Sequence, residues 1–332
     1  MKSEDWYTTN NITLLTGCAA VALDATAKQV TLSDGKIFQY EKLLIATGTH
    51  NRKWTIPGAN KKSVHYLRTL DHAKAIIKDL HDGKSHAVIV GSACVTYEVA
   101  DILRSKEIEV TEVMREHYFW EPALSQDEAS IVEERLVERG VTLIRDMEIT
   151  EVIGGDEVEG VILKDGRMLH CDMVFAFIGV DIPTNWLISS GITLDRGIHA
   201  NQYLETSLPD VWVAGDTARY KDVILNDSVV MGNWMNATKQ GETAAMNMLG
   251  DKKGFELVSF HSSHGFGDMI SFAGDGRAKE DREYIMRGNI SERKYGRIIL
   301  CENHIVGATM INRTQELTSA ARLQYMHGLL LR

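Results

Sequence analysis

The chain has 332 residues, with 36 Lys+Arg against 46 Asp+Glu, a formal net charge of −10, 44% hydrophobic residues and 25% charged ones. At roughly 150 residues per domain it is long enough for two or three domains, and the balance excludes disordered, collagen-like and coiled-coil chains. An acidic chain also argues against nucleic acid as a partner, because phosphates demand clustered Lys and Arg.

No window of about 18 uninterrupted apolar residues occurs, and the opening MKSEDWYTTNN has no signal-peptide core; the expectation is a cytoplasmic protein with no membrane span. Cys18, Cys94, Cys171 and Cys301 are scattered without a CxxC, which excludes a zinc ribbon, an iron–sulfur cluster held by this chain and a local redox dithiol. The charge is uneven: residues 252–332 hold 12 Lys+Arg and 9 Asp+Glu, leaving −13 on the other 251 residues. That reads either as ordinary variation on a solvated surface or as a mildly basic face for an acidic partner.

In chain order, residues 12–15 form an apolar run expected as a strand, and 29–32 and 36–40 flank Ser33-Asp34-Gly35, whose Asp-Gly step signals a hairpin. LLIATG over 43–48 is a buried strand ending in small residues, and the spacing over 70–80 predicts a helix. HAVIV at 86–90, a helix over 95–103 and a strand over 108–113 make a β-α-β unit. An amphipathic helix over 126–140, with Ile131, Leu136 and Val137 on its apolar side, stops at Gly140. A strand at 141–144, a small meander over 148–170 and a buried strand at 173–178 follow. A strand at 211–214 leads into Gly215-Asp216, and a helix over 234–249 closes at Gly250. Beyond Lys252 the pattern becomes strands at 269–273, 284–287, 296–301 and 305–311, then a helix at 315–326, an α+β domain. The alternation before it argues α/β with a parallel sheet.

Three phrases in order, LLIATG with Ile56-Pro57-Gly58, HAVIVGSACVTYE and TSLPDVWVAGD, resemble the FAD-dependent pyridine-nucleotide reductase superfamily. HYLRTLDHA and FHSSHGFGDMISFAGDGR are similar to its ferredoxin/rubredoxin reductase and apoptosis-inducing-factor-like branch. The resemblance implies a Rossmann-like α/β fold with two dinucleotide-binding domains and a C-terminal α+β domain. Its boundaries would be 1–70 with 181–250 for an FAD-binding-type domain, 71–180 for an NAD(P)-binding-type domain and 252–332 for the reductase domain.

The residues of TSLPDVWVAGD fit a flavin role on their own chemistry. Ala214 and Gly215 let a ligand approach the backbone, and the Asp216 carboxylate can accept a hydrogen bond from a ribityl hydroxyl, or else cap the next helix. The resemblance further implies FAD contacts at Ala46, Thr47 and Gly48, and at Asn233 and Trp234, where a helix N-terminus would favour negative charge on the reduced ring. Arg68 is implied near the flavin or its phosphates and Ala20 near the adenine. Gly91, Glu98 and Gly179 match positions near NAD(P)H.

Two departures stand out. No Gly-x-Gly-x-x-Gly precedes Ala46, so the first flavin-binding βαβ unit is expected to be missing. The second glycine motif reads Gly91-Ser92-Ala93-Cys94-Val95-Thr96, and the acidic residue expected after the next strand is Met114, followed by Arg115. Arg115 offers a cation to a 2′-phosphate or simply a solvated charge. Cys94 in this turn is either a thiol activated by the helix or a small packing residue.

The expected function is an FAD-dependent NAD(P)H oxidoreductase passing electrons to a small protein or other acceptor, with an acidic electron-transfer protein as the expected partner. The alternative is a truncated, cofactor-poor pseudoenzyme or interaction subunit, whose open sheet edge would need a partner chain or a homo-oligomer to cover it.

Overall fold

The computed structural model describes residues 2–277 and 279–317, so most of the helix expected over 315–326 lies outside the described residues. The chain divides into two compact units, Met1–Gly48 with Ile182–Asp222 and Asp227–Phe255, and Thr49–Asp181 with Val223–Asn226 and the segment from Glu256 onward.

In the first unit, Ala20–Asp24, Gln29–Leu32 and Ile37–Gln39 form an antiparallel sheet turned by Asp34 and Gly35. Leu43–Ile45 runs parallel to Val211–Val213, with Ile45 opposite Val213, and the two bury Ile45, Val211 and Val213 in one core with Leu23, Leu187 and Ile198. Helix Trp234–Leu249 begins at Asn233, whose side chain caps Asn236 N at 2.9 Å, and ends at Gly250 in the left-handed conformation. The strand expected over 12–15 is not formed: the ordered element there is helix Glu4–Thr9, and Ile12, Leu14 and Leu15 stay exposed. Apolar character made that run look like a strand, but no neighbouring strand pairs with it among the described residues.

The second unit is built on five parallel strands in the order Val64–His65, Met173–Ala176, His86–Val90, Glu109–Val113, Val141–Ile144. From His86–Val90 the chain winds outward through helices Cys94–Ser105 and Gln126–Glu138, then returns to place Met173–Ala176 on the other side. The sheet therefore reverses direction between Met173–Ala176 and His86–Val90, the point at which such sheets open a crevice at their carboxyl ends. Val137, expected on the apolar side of Gln126–Glu138, is exposed, while Ile131 and Leu136 are buried.

The antiparallel sheet Phe260–Gly265, Asp268–Gly274, His304–Ile311, Lys294–Cys301, Glu283–Asn289 belongs to the same unit. Phe266, Ile270, Phe272, Tyr295 and Ile311 share one core with Ile89, Leu103 and Leu136 of the parallel-sheet layer. Polar bonds fix the junction: Arg135 Nε donates to Asp268 Oδ2 at 2.7 Å, Ser263 Oγ to Glu98 Oε1 at 2.9 Å and Arg297 Nη2 to the Ala123 carbonyl at 2.7 Å. Among the described residues no helix is long and apolar enough to cross a membrane.

Candidate functional site

A cleft of about 610 Å³ opens at the carboxyl ends of the parallel strands in the second unit. Val90, Gly91 and Val113 reach it from the strand ends, Phe177 and Gly179 from the returning strand, and Trp54 from the segment before the sheet. Gly91 makes the turn at φ +121°, and a Cβ there would stand 2.4 Å from the Phe177 carbonyl oxygen. Gly179, also at positive φ, leaves its backbone open, with Arg52 Nη1 3.6 Å from where a Cβ would lie. The structure thus brings Gly91 and Gly179 together on one cleft.

The altered glycine turn keeps its shape by other means. Ala93 is extended (φ −162°), a conformation any residue adopts. The Thr96 hydroxyl accepts from Ala93 N at 2.9 Å and donates to the Ala93 carbonyl at 2.7 Å, closing the first turn of Cys94–Ser105 from within. Ser92 Oγ accepts from Trp120 N. The sequence signalled the lost glycines but not that Thr96 would become the cap.

Met114 is buried in the core, so Arg115 and Glu116 stand at the strand end, paired at 3.0 Å, and both line the cleft. Arg52, held by Asp181 at 3.0 Å, and Lys53 add positive charge. Behind the turn, Glu112 is fully buried, and among the described residues neither carboxyl oxygen has a hydrogen-bond partner. Burial pushes its carboxyl up to about 8, Glu133 adds to the effect, and the Thr96 hydroxyl, already committed to Ala93, opposes it only in part. Nothing in the sequence pattern singled Glu112 out: its strand reads EVTEV, and of its two glutamates Glu109 is exposed while Glu112 is buried.

Other expected residues fall elsewhere. Glu98 does not line the cleft; its carboxylate is taken by Ser263. Burial, reinforced by Glu98, raises the Cys94 thiol, opposite to what an activated thiol needs. Arg68 is exposed just ahead of helix Leu70–His81 in this second unit.

In the first unit, the parallel pair Leu43–Ile45 and Val211–Val213 delivers Ala46, Thr47 and Gly48 and Gly215 and Asp216 to the same end. Gly215, at φ +82°, lies where a Cβ would meet Ala237 at 3.5 Å, and its N–H donates to Gln240 Oε1 at 2.8 Å. Asp216 lies beside Gly232, one residue ahead of the Asn233 cap. Three buried polar atoms near these residues in the chain, Thr217 Oγ1, Asn236 Oδ1 and Gln240 Nε2, lack partners among the described residues. Trp234 is 83% exposed, so it is not a core residue. Ala20 is half-buried opposite Leu32.

These residues fit the ring and ribityl end of a flavin: small backbone approaches, one carboxylate, unsatisfied buried polar groups and the N-terminus of a 16-residue helix. They do not supply a glycine-rich pyrophosphate turn, since no Gly-x-Gly-x-x-Gly occurs in the 332 residues.

A parallel sheet with a crevice at its switch point in one unit, and a parallel strand pair leading to a helix N-terminus in the other, define a Rossmann-like α/β fold. The chain belongs to the pyridine nucleotide-disulphide oxidoreductase family, matched over residues 6–241. It is 28% identical over 314 residues to nitrite reductase [NAD(P)H] of Bacillus subtilis, covering 94% of this chain and 38% of that protein. It is 27% identical to the assimilatory nitrate reductase electron transfer subunit of the same organism, covering 68% of this chain and 29% of that one. The chain therefore spans well under half the length of these two relatives. Among solved structures, a ferredoxin reductase from Rhodopseudomonas palustris superposes with a TM-score of 0.90 at 26% identity, covering 98% of this chain and 80% of that one.

Proposed function

We propose that this chain is the nucleotide- and flavin-binding body of a reductase that takes hydride from NAD(P)H and passes electrons to a small electron-transfer protein. The cleft at the sheet's reversal point carries the reading, with Gly91 and Gly179 giving a nucleotide backbone-close approach on both sides. The first turn of Cys94–Ser105 turns its backbone N–H groups and the positive end of the helix toward a pyrophosphate, and Arg115, following the Met114 that replaces an acidic residue, favours a 2′-phosphate. NADPH is therefore the favoured donor over NADH.

A flavin, when bound, supplies hydride acceptance and stepwise electron release. Thr47, Gly48 and Gly215 would hold it through the backbone and Asp216 through its carboxylate, while the helix beginning at Trp234 favours negative charge on the reduced ring. The relatives bear enzyme names, which lends a purely structural subunit no support. Names such as ferredoxin reductase, together with the +3 balance of residues 252–332, support an acidic protein acceptor.

Trp54 in the cleft is a built-in reporter. Titrating the full chain with NADPH and with NADH should quench tryptophan emission saturably, and Trp54→Phe should remove most of that quench while isothermal titration still detects binding. Failure of both nucleotides to bind would overturn the reading.

A further inference from the structure

The Glu283–Asn289 strand is the outer edge of its five-stranded sheet, and all seven of its residues are exposed. It runs against Lys294–Cys301 in unbroken register from Glu283 opposite Leu300 to Asn289 opposite Lys294. Tyr284, Ile285 and Met286 are 38, 47 and 46% exposed. Edges of this kind are normally blunted by a proline, a lysine, a bulge or a short length. This one has no proline, lysine or bulge, and it carries three adjacent apolar side chains between the charged Glu283 and Arg287.

Its order of residues is self-complementary. A twofold axis perpendicular to the sheet keeps each face on its own side, so an antiparallel copy must be centred on a residue. Centred on Ile285, Glu283 faces Arg287 of the second copy, Arg287 faces Glu283, Ile285 faces Ile285, and Tyr284 faces Met286 twice on the other face. Centred on Met286, the charges have no opposite partners; centred on Arg287, two guanidinium groups collide. Arg287 is only loosely engaged within the chain, 3.6 Å from Glu316. Of these three registers, only the one centred on Ile285 joins apolar contact to two opposite-charge pairs.

We propose that the Glu283–Asn289 strand pairs with the same strand of a second copy of this chain, antiparallel about Ile285, to form a continuous ten-stranded sheet. Sedimentation equilibrium of the full chain at increasing concentration tests it. The expected result is reversible association to twice the 37.1 kDa chain mass. Glu283→Arg and Arg287→Glu alone place like charges opposite each other at two symmetric positions and should each weaken association roughly tenfold or more. The double variant Glu283→Arg/Arg287→Glu restores opposite pairs and should return association to the original strength. A monomer at every concentration, a dimer that neither single variant weakens, or a double variant no better than the single ones would overturn the proposal.

Discussion

Gly91 and Phe177 approach so closely that one methyl group cannot be added between them: a Cβ on Gly91 would lie 2.4 Å from the Phe177 carbonyl oxygen. The same glycine sits at φ +121°, where an L side chain is strained. This contact walls the crevice where the sheet reverses and, on the proposed function, sets how closely a nucleotide can meet the backbone. Gly91→Ala should therefore destabilise the chain by roughly 2–4 kcal/mol. Urea unfolding should show a lower midpoint at unchanged slope. Nucleotide affinity should fall as well.

The Thr96 hydroxyl replaces what a third glycine would leave bare, bonding both N–H and C=O of Ala93. Thr96→Ala should cost about 1 kcal/mol. Thr96→Ser should retain most of that stability, and thermal melts of the two variants distinguish a capping role from mere filling of space.

Glu112 ties stability to pH. Its carboxyl is raised from 4.5 to about 8 by burial, so the folded state holds a proton that the unfolded state releases above 4.5. Stability from this group is complete below pH 4.5 and declines as pH rises toward 8, by up to about 1.4 kcal/mol per pH unit, then levels off. Glu112→Gln stays neutral throughout. The stability difference between variant and wild type, followed by urea unfolding from acid to mildly alkaline pH, should grow in the variant's favour up to pH about 8. A constant difference would show that Glu112 is ionised in the fold.

Arg115 stands at the strand end where Met114 has turned inward. Arg115→Ala should weaken NADPH about tenfold while leaving NADH within about twofold, because only the 2′-phosphate loses its charge-assisted bond. Equal losses for both nucleotides would place Arg115 elsewhere on the ligand.

Much of this architecture is legible in the sequence, and the failures have physical causes. HAVIV ends at Gly91 and the 234–249 helix runs between an Asn cap and a left-handed Gly250, so apolar pattern and terminal signals agree with the observed elements. Residues 12–15 are apolar but acquire no strand partner among the described residues, because pairing is a tertiary property that pattern alone does not reveal. Phe260–Gly265 shows no strand signal for the converse reason: His261, Ser262, Ser263 and His264 give it no apolar run, and its place is fixed by pairing with Asp268–Gly274 and by Ser263 bonding Glu98. At the site, Gly91 and Gly179 stand out in the sequence, whereas the cap at Thr96 and the buried acid at Glu112 depend on neighbours far along the chain or on side-chain direction.

The most direct measurement is the visible absorption spectrum of the purified chain after incubation with FAD and removal of the free flavin, recorded anaerobically before and after NADPH. A flavin band that is retained by the wild type, lost in Asp216→Ala and bleached by NADPH is the predicted result. A chain that retains no flavin, or retains one that neither NADPH nor NADH bleaches, would contradict the assignment.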